Sequence, residues 1–417
     1  MNRILLTALL LASAGCVEMR HDYGRMAPSK LNIGVYCLST NAQTEAHVKD
    51  IADCGVDFVE SVGYDLKLMD LFAKYGLGAI VTKVAPPWWG GNGDRAGKMA
   101  EVCPLSLYEE AAAKFVDHPA IWGIDIGDEP SALDFPHYGK VAKRVRELFP
   151  NQFPYLNLYP NYASVAKNNG EETVNQLGTA TYDEHIAAYV KNVDLPYICY
   201  DFYVYSINVE KMHENFRSVT DACRRSGRDF WYVLQVNSND PKKILSANQL
   251  RYQAHIALAY GAQTLLWACW TKGWWHHNVL DEQGNRTEQY EKLKTVNAEL
   301  HALGKTYMQF RTIATHRVTD KPLEAAGLKS VRALDGAELM IGEMAGRADG
   351  RRALFIAASD DPHDTDGKDH VITLSAGTKK VSAIGAGGAI PLARNADGAC
   401  TLTLRSNAAA LVIADGR

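Results

Sequence analysis

The stretch GIDIGDEP (residues 123–130) ends in two adjacent carboxylates, Asp128 and Glu129, stopped by Pro130. Neighbouring carboxylates repel, and each costs free energy to desolvate unless it is partnered or neutral, so such a pair where a buried strand meets a loop implies a task. The task suited to a carboxylic acid kept neutral is proton donation to a leaving group, which requires a pKa raised by burial and by neighbouring acids. Side chains two apart on a strand share a face. That parity predicts that Asp125 and Glu129 point one way, toward a substrate, and that Asp128 points away, to bond a neighbouring strand or local backbone. A further acid, Asp201, lies in YICYDFYVY (197–205) and by the same parity shares a face with Tyr203 and Tyr205.

The elements that must position these groups follow from the apolar rhythm. Strand-like runs at 32–38, 56–62, 77–84, 121–127, 154–160, 197–205, 229–236 and 262–269 alternate with helical patterns such as EAHVKDIADCG, YGKVAKRVRELFP and NQLRYQAHIALAYG. In the second of these, Val141, Val145 and Leu148 recur at four and three residues and fall on one face. Parallel strands need crossover helices and bury both faces, so eight such alternations predict an α/β fold, a (β/α)8 TIM barrel, over residues 28–311. Beyond residue 312 the pattern becomes short strands separated by Gly, Asp and Asn turns, with no helix between them, which predicts a small C-terminal antiparallel β-sandwich over 312–417.

A barrel carries its active site at the carboxyl ends of its strands. Those ends supply Glu60, Lys83, Asp128, Glu129, Asn157, Tyr159, Asp201, Tyr203, Tyr205, Gln235 and Asn237, then Trp267, Trp270, Trp274 and His276 around the eighth strand, with Trp88 in a Gly-rich loop after the third. Carboxylates, amides and tyrosines ringed by tryptophan make a floor for a polyhydroxylated ligand, because aromatic faces stack on the flat apolar faces of sugar rings. An oligosaccharide or polysaccharide is the simplest partner. His276 and His277 are adjacent and project differently, a poor metal pair, so neither metal nor other cofactor is expected.

WGIDIGDEP, YQAHIALAYGAQTLLWACW and NVLDEQGNRTEQYEKLKTVNAELHALG, in that order, resemble barrel glycoside hydrolases of the clan containing family 42 β-galactosidases. The resemblance implies that Glu129, before proline at the end of the fourth strand, is the general acid/base of a glycosidase. It departs from the clan in two places: Gln235 and Asn237 stand where a nucleophilic glutamate ends the seventh strand, and Asp128 stands where an asparagine precedes the acid. Asp201 is then a candidate for the second carboxylate, as nucleophile at a separation of about 5–5.5 Å from the acid or as activator of water at about 6.5–9.5 Å. A second chemistry stays open, in which Asp128 and Glu129 act as a pair like that of N-acetylhexosaminidases, the aspartate orienting an acetamido group of the substrate. A third reading is a carbohydrate-binding lipoprotein that has lost catalysis.

Among the 417 residues, a formal net charge of −4 leaves no basic footprint for nucleic acid. The first 16 residues, MNRILLTALLLASAGC, read as an export signal, and SAGC resembles a lipobox in which Cys16 is lipidated. Export to the periplasm or cell surface is expected, with membrane contact through that anchor alone. The remaining seven cysteines form no C-x-x-C pair and no zinc spacing, and neither a disulfide framework nor cysteine chemistry is expected.

Overall fold

The computed structural model describes residues 22–84, 95–165, 176–319, 321–359, 361–363, 367–376 and 380–414. The export segment with Cys16 and the loop residue Trp88 lie outside the described residues.

Eight parallel strands form the barrel: β1 (Asn32–Tyr36), β2 (Phe58–Gly63), β3 (Gly78–Thr82), β4 (Ile121–Asp128), β5 (Phe153–Asn157), β6 (Tyr197–Asp201), β7 (Asp229–Gln235) and β8 (Ala262–Ala268). Every residue of β1, β5, β6 and β7 is buried, as expected of strands covered on one face by helices and on the other by the filled lumen. The covering helices start where the sequence supplies caps. Thr181 with Glu184, and Ser246 with Gln249, form reciprocal capping boxes ahead of Tyr182–Asn192 and Ala247–Tyr260.

The hydrogen-bonded order runs β5-β4-β3-β2-β1-β8-β7-β6, so the ring closes between β5 and β6. Backbone pairing there is reduced to a bridge between Leu158 and Tyr200, with the Leu158 N–H donating to the Cys199 carbonyl at 2.9 Å. Below it a side chain replaces the ladder. The Tyr197 hydroxyl accepts from the Leu156 N–H at 3.0 Å and donates to the Pro154 carbonyl at 3.0 Å. Its ring is fixed by stacking on Trp231, centroids 4.0 Å apart and planes 8° from parallel. The backbone groups of β5 that no neighbouring strand reaches are thereby satisfied.

The lumen is filled, not open. Tyr36 on β1 and Tyr155 on β5 stand on opposite walls, yet their hydroxyls share a hydrogen bond across the interior. At the amino ends of the strands the segment before β1 forms a plug. Tyr23 packs on Trp231, centroids 5.2 Å apart, and its hydroxyl donates to Asp229 at 2.7 Å.

After the last helix (Glu288–Tyr307), two antiparallel sheets of six and five strands form a sandwich-like region. Strands Leu339–Gly346, Arg352–Ala358, Asp369–Ser375, Val381–Gly385, Ala399–Arg405 and Ala409–Ala414 fall in AELMIGEM, RRALFIAAS, DHVITLS, KKVSAIGAGG and CTLTLRSNAAALVIA, the runs from which the sandwich is read in the sequence. Phe310–Val318, Leu323–Ala325 and Leu328–Ala333 were not read as strands. Along Phe310–Val318 only the two end residues are buried, so no apolar alternation marks it.

Tyr197→Phe leaves the Leu156 N–H and the Pro154 carbonyl buried without their partner. The expected cost is about 1–3 kcal/mol of unfolding free energy, measurable as a lowered midpoint in urea denaturation; an unchanged midpoint would mean that the seam is held by other contacts.

Candidate active site

The arrangement of the acids is set by an irregularity in β4. Asp125 pairs with Tyr155 of β5, the register then shifts, and Asp128 pairs with Asn157. Tyr155 and Asn157 are two apart and share a face, so the bulge brings Asp125 and Asp128, three apart, onto that one lumenal face. The strand-parity expectation that Asp128 points away is overturned by this extra residue, while the expected bond to a neighbouring strand is made, to Asn157 of β5. Gly127 makes it possible: at φ +154° it lies so close to the Tyr138 hydroxyl that a Cβ would sit 2.2 Å from it.

Asn157 ties the acids together. Its Nδ2 donates to Asp201 Oδ1 at 2.7 Å and to Asp128 Oδ1 at 3.0 Å. The two protons of a trigonal nitrogen diverge by about 120°, which holds the two oxygens about 5 Å apart. The Asn157 Oδ1 accepts from the Cys199 thiol at 3.4 Å, and the Cys199 sulfur lies 3.5 Å from the Tyr155 hydroxyl, so the amide is oriented from beneath by a chain that reaches Tyr36.

Glu60 on β2 completes the cluster; it is 2% exposed and its Oε2 has no hydrogen-bond partner among the described residues. None of Glu60, Asp125, Asp128 and Asp201 has a Lys, Arg or His partner among the described residues. All four are shifted toward the neutral acid. Burial, then the charge of Asp125, holds Glu60 well above the usual carboxylate range. Burial also pushes Asp125 up to about 7, against the Gly127 N–H that bonds its carboxylate and with the charge of Asp128 adding to the rise. Asp128 is pushed up to about 6 by burial, against the Asn157 bond, and Asp201 to about 7 by burial and then by Asp128, against bonds from Asn157 and Tyr203.

Glu129 stands at the rim, half-buried, with φ +46° and its N–H donating to the Asn157 carbonyl at 2.9 Å. Burial first, then the charge of Asp201 and more weakly that of Glu129, raise both the Tyr162 and the Tyr203 phenols. Left-handed backbone at a non-glycine residue recurs just past β1, β3 and β4, at Cys37 (+67°), Lys83 (+62°) and Glu129 (+46°), and within β2 at Ser61 (+59°). Each costs of order 1–3 kcal/mol, and such strain concentrates at functional rims.

The other sequence candidates divide. Tyr203 and Trp274 join the mouth, with rings 5.9 Å apart, and Trp274 also meets Tyr36 at 6.4 Å. Lys83 is exposed beyond β3, His276 is exposed with its backbone paired to Ser238, and Tyr159 is buried beside His185. Five candidates are turned to structural work. Trp267 donates from Nε1 to Asn297 of the last helix at 2.9 Å, and Trp270 packs on Tyr290 of the same helix. The Tyr205 hydroxyl bonds the carbonyls of Gln249 and Pro362. Gln235, fully buried, accepts from the Tyr205 N–H at 3.1 Å and donates to Ser206 at 3.1 Å, bracing the turn after β6. Asn237 likewise holds the eighth-strand loop through the Trp274 carbonyl at 2.8 Å. Sequence reasoning missed Tyr36, Tyr155 and Tyr162; applying the strand-end rule to β1 would have found Tyr36. Among the described residues no group of three or more His, Cys, Asp or Glu side chains is placed to hold a metal ion, and no helix is long and apolar enough to cross a membrane.

No family model matches the chain, and no curated protein matches it. Solved structures that resemble it include a family 51 α-L-arabinofuranosidase from Bifidobacterium longum, at 12% identity over 93% of this chain and 96% of that one, TM-score 0.46. A glycoside hydrolase family 5 mannosidase from Rhizomucor miehei shares 10% identity over 64% and 92%, TM-score 0.42. An endoglucanase from Pseudomonas stutzeri shares 16% over 64% and 93%, TM-score 0.39. The likeness is one of fold.

The raised acids fix a sign for stability against pH. A carboxyl near 4 in the unfolded chain and near 6 or 7 in the folded one binds more protons when folded, so stability falls as pH rises through that window. The urea midpoint is expected to decline between about pH 4 and pH 7 in the wild type and to decline less in Asp125→Asn, which keeps the acceptor for Gly127. Parallel profiles for the two proteins would exclude Asp125 as a source of the slope.

Proposed function

We propose that this protein hydrolyses an O-glycosidic bond of an oligosaccharide or polysaccharide, with Glu129 as general acid and Asp201 as the second carboxylate. The observation that carries the reading is that both acids meet Asn157, whose side chain donates to Asp201 at 2.7 Å and whose carbonyl accepts from the Glu129 N–H at 2.9 Å. Glu129 in its protonated form delivers a proton to the leaving oxygen. Asp201, held by Asn157 and by the Tyr203 hydroxyl, meets the anomeric carbon as nucleophile or takes a proton from an attacking water. Asp128 lies on the inner side of this pair, where its charge tunes Asp201 and where it is available to orient a substrate acetamido group in the substrate-assisted variant. Trp274 and Tyr203 supply the stacking wall.

A β-galactosidase-like specificity is the finer form of the proposal and rests on the three segments that resemble the family 42 clan. The seventh-strand position of that clan is taken here by the bracing Gln235, so the sixth strand supplies the second acid. The segment ending at Cys16 supports placing the activity outside the cytoplasm, with a lipid anchor at that residue.

Glu129→Gln is expected to retain sugar binding and to lose about two to four powers of ten in turnover on substrates with poor leaving groups, with a smaller loss on nitrophenyl glycosides, whose leaving group needs no proton. Unchanged turnover would remove Glu129 from the mechanism. Binding without cleavage by the wild type across a broad glycoside panel would mark the mouth as a sugar-binding site alone.

The pH profile tests Asp201 separately. It must be ionised to act, and burial followed by the charge of Asp128 lifts it to about 7, so kcat/KM is expected to rise with pH up to that point. Asp128→Asn removes the neighbouring charge and moves this limb to lower pH; an unmoved limb would assign it to another group.

A further inference from the structure

Cys37 ends β1 and Cys269 follows β8, 232 residues apart in the chain. Just past the last paired residues the Trp270 N–H donates to the Tyr36 carbonyl at 2.8 Å and the Thr271 N–H to the Cys37 carbonyl at 3.1 Å, which keeps the two cysteine-bearing ends together. The two sulfurs already lie within hydrogen-bond reach of each other, and a disulfide between them asks for about 4.4–6.8 Å between the Cα atoms. Both thiols are free. Both sulfurs also rest against the same glycine: a Cβ on Gly273 would lie 2.8 Å from Cys37 Sγ and 2.9 Å from Cys269 Sγ.

The surroundings divide the pair: burial, and then the bond to Cys37, hold the Cys269 thiol well above its usual range. The Cys269 sulfur accepts from the backbone N–H groups of Gly273 and Trp274, and the Asn237 Nδ2 lies 3.8 Å away. Cys37 is half-buried at the mouth while Cys269 is fully enclosed, so an external reagent meets Cys37 first. The two sulfurs share a hydrogen bond, which lowers Cys37 below the usual thiol range, opposed by its burial and by the charge of Asp128. A thiolate stabilised in this way is the attacking species in disulfide exchange.

We propose that Cys37 and Cys269 form an oxidisable dithiol, a modification site at the barrel mouth that closes to a disulfide on reaction with a small-molecule disulfide. The Cys37 thiolate attacks one sulfur of the reagent, its S–S bond breaks, and one thiolate leaves as the mixed disulfide on Cys37 forms. Cys269 loses its proton and attacks the Cys37 sulfur, expelling the second thiolate. Two cysteine thiols are oxidised by two electrons, one small disulfide is reduced to two thiols, and the protons released by the pair pass to the leaving thiolates. Closure draws the Cys269 sulfur toward Cys37 and away from the N–H groups of Gly273 and Trp274, loosening the Trp274 wall. The site does not depend on which ligand the mouth takes.

The test uses the full wild-type chain under native conditions, incubated with oxidised glutathione, blocked with iodoacetamide and mapped by mass spectrometry without reduction. The expected result is a peptide pair cross-linked through Cys37 and Cys269 that disappears on treatment with dithiothreitol, together with a reversible change in tryptophan fluorescence. In Cys269→Ser, checked for folding by circular dichroism, the expected product is a stable glutathione adduct on Cys37. Both cysteines recovered as carbamidomethyl derivatives, or an adduct on wild-type Cys37 that never resolves to the cross-link, would overturn the proposal.

Discussion

The mouth of this barrel is organised around one amide nitrogen. Asn157 Nδ2 bonds a carboxylate on each flanking strand, Asp128 on β4 and Asp201 on β6. Two full charges about 5 Å apart at an effective dielectric of about 20 repel by about 3 kcal/mol, while a hydrogen bond to a charged group returns about 1.5–3 kcal/mol. The amide therefore offsets the repulsion without exceeding it by much, and burial tips the balance toward retaining a proton. That is the condition a proton-transferring site requires: acids close enough to exchange roles, and neither committed to a charge.

The same nitrogen has a structural duty. Between β5 and β6 the backbone ladder is almost absent, and the joint is stitched by side chains, with Tyr197 at its lower end and the Asn157–Asp201 bond at its upper end. The strand that carries Asp201 is thus positioned by the groups that work beside it. The stacked aromatics beneath fix the height of this layer, since Tyr155 and Tyr197 tie the acids to a floor that cannot compress.

Much of the architecture was readable in the residues because parallel strands buried on both faces write themselves as continuous apolar runs, and all eight were found within a few residues of their ends. The strand-end rule likewise located Glu60, Asp128, Glu129, Asn157, Asp201 and Tyr203 at the mouth. Strand parity failed at Asp128, because a bulge adds a residue that no local pattern announces. Trp267 and Trp270 were assigned to the ligand on type alone, yet the last helix, far along the chain, offers Asn297 and Tyr290 to receive them. Gln235 and Tyr205 illustrate the same difficulty: an amide or a phenol at a strand end is as useful for holding a turn as for holding a sugar, and only the neighbours decide. The meeting of Cys37 and Cys269 depends on ring closure of the barrel, which places the first strand against the last.

The plug formed by Tyr23 fixes a direction for the whole molecule. The chain enters at the amino ends of β6 and β7, where this side chain reaches Pro196 and Asp229, on the pole opposite the acids. Six residues separate Cys16 from Tyr23, a leash of roughly 20 Å at full stretch. Were Cys16 acylated, that short leash would hold the plugged pole against the lipid and turn the tyrosine-lined open pole outward, toward the surrounding medium.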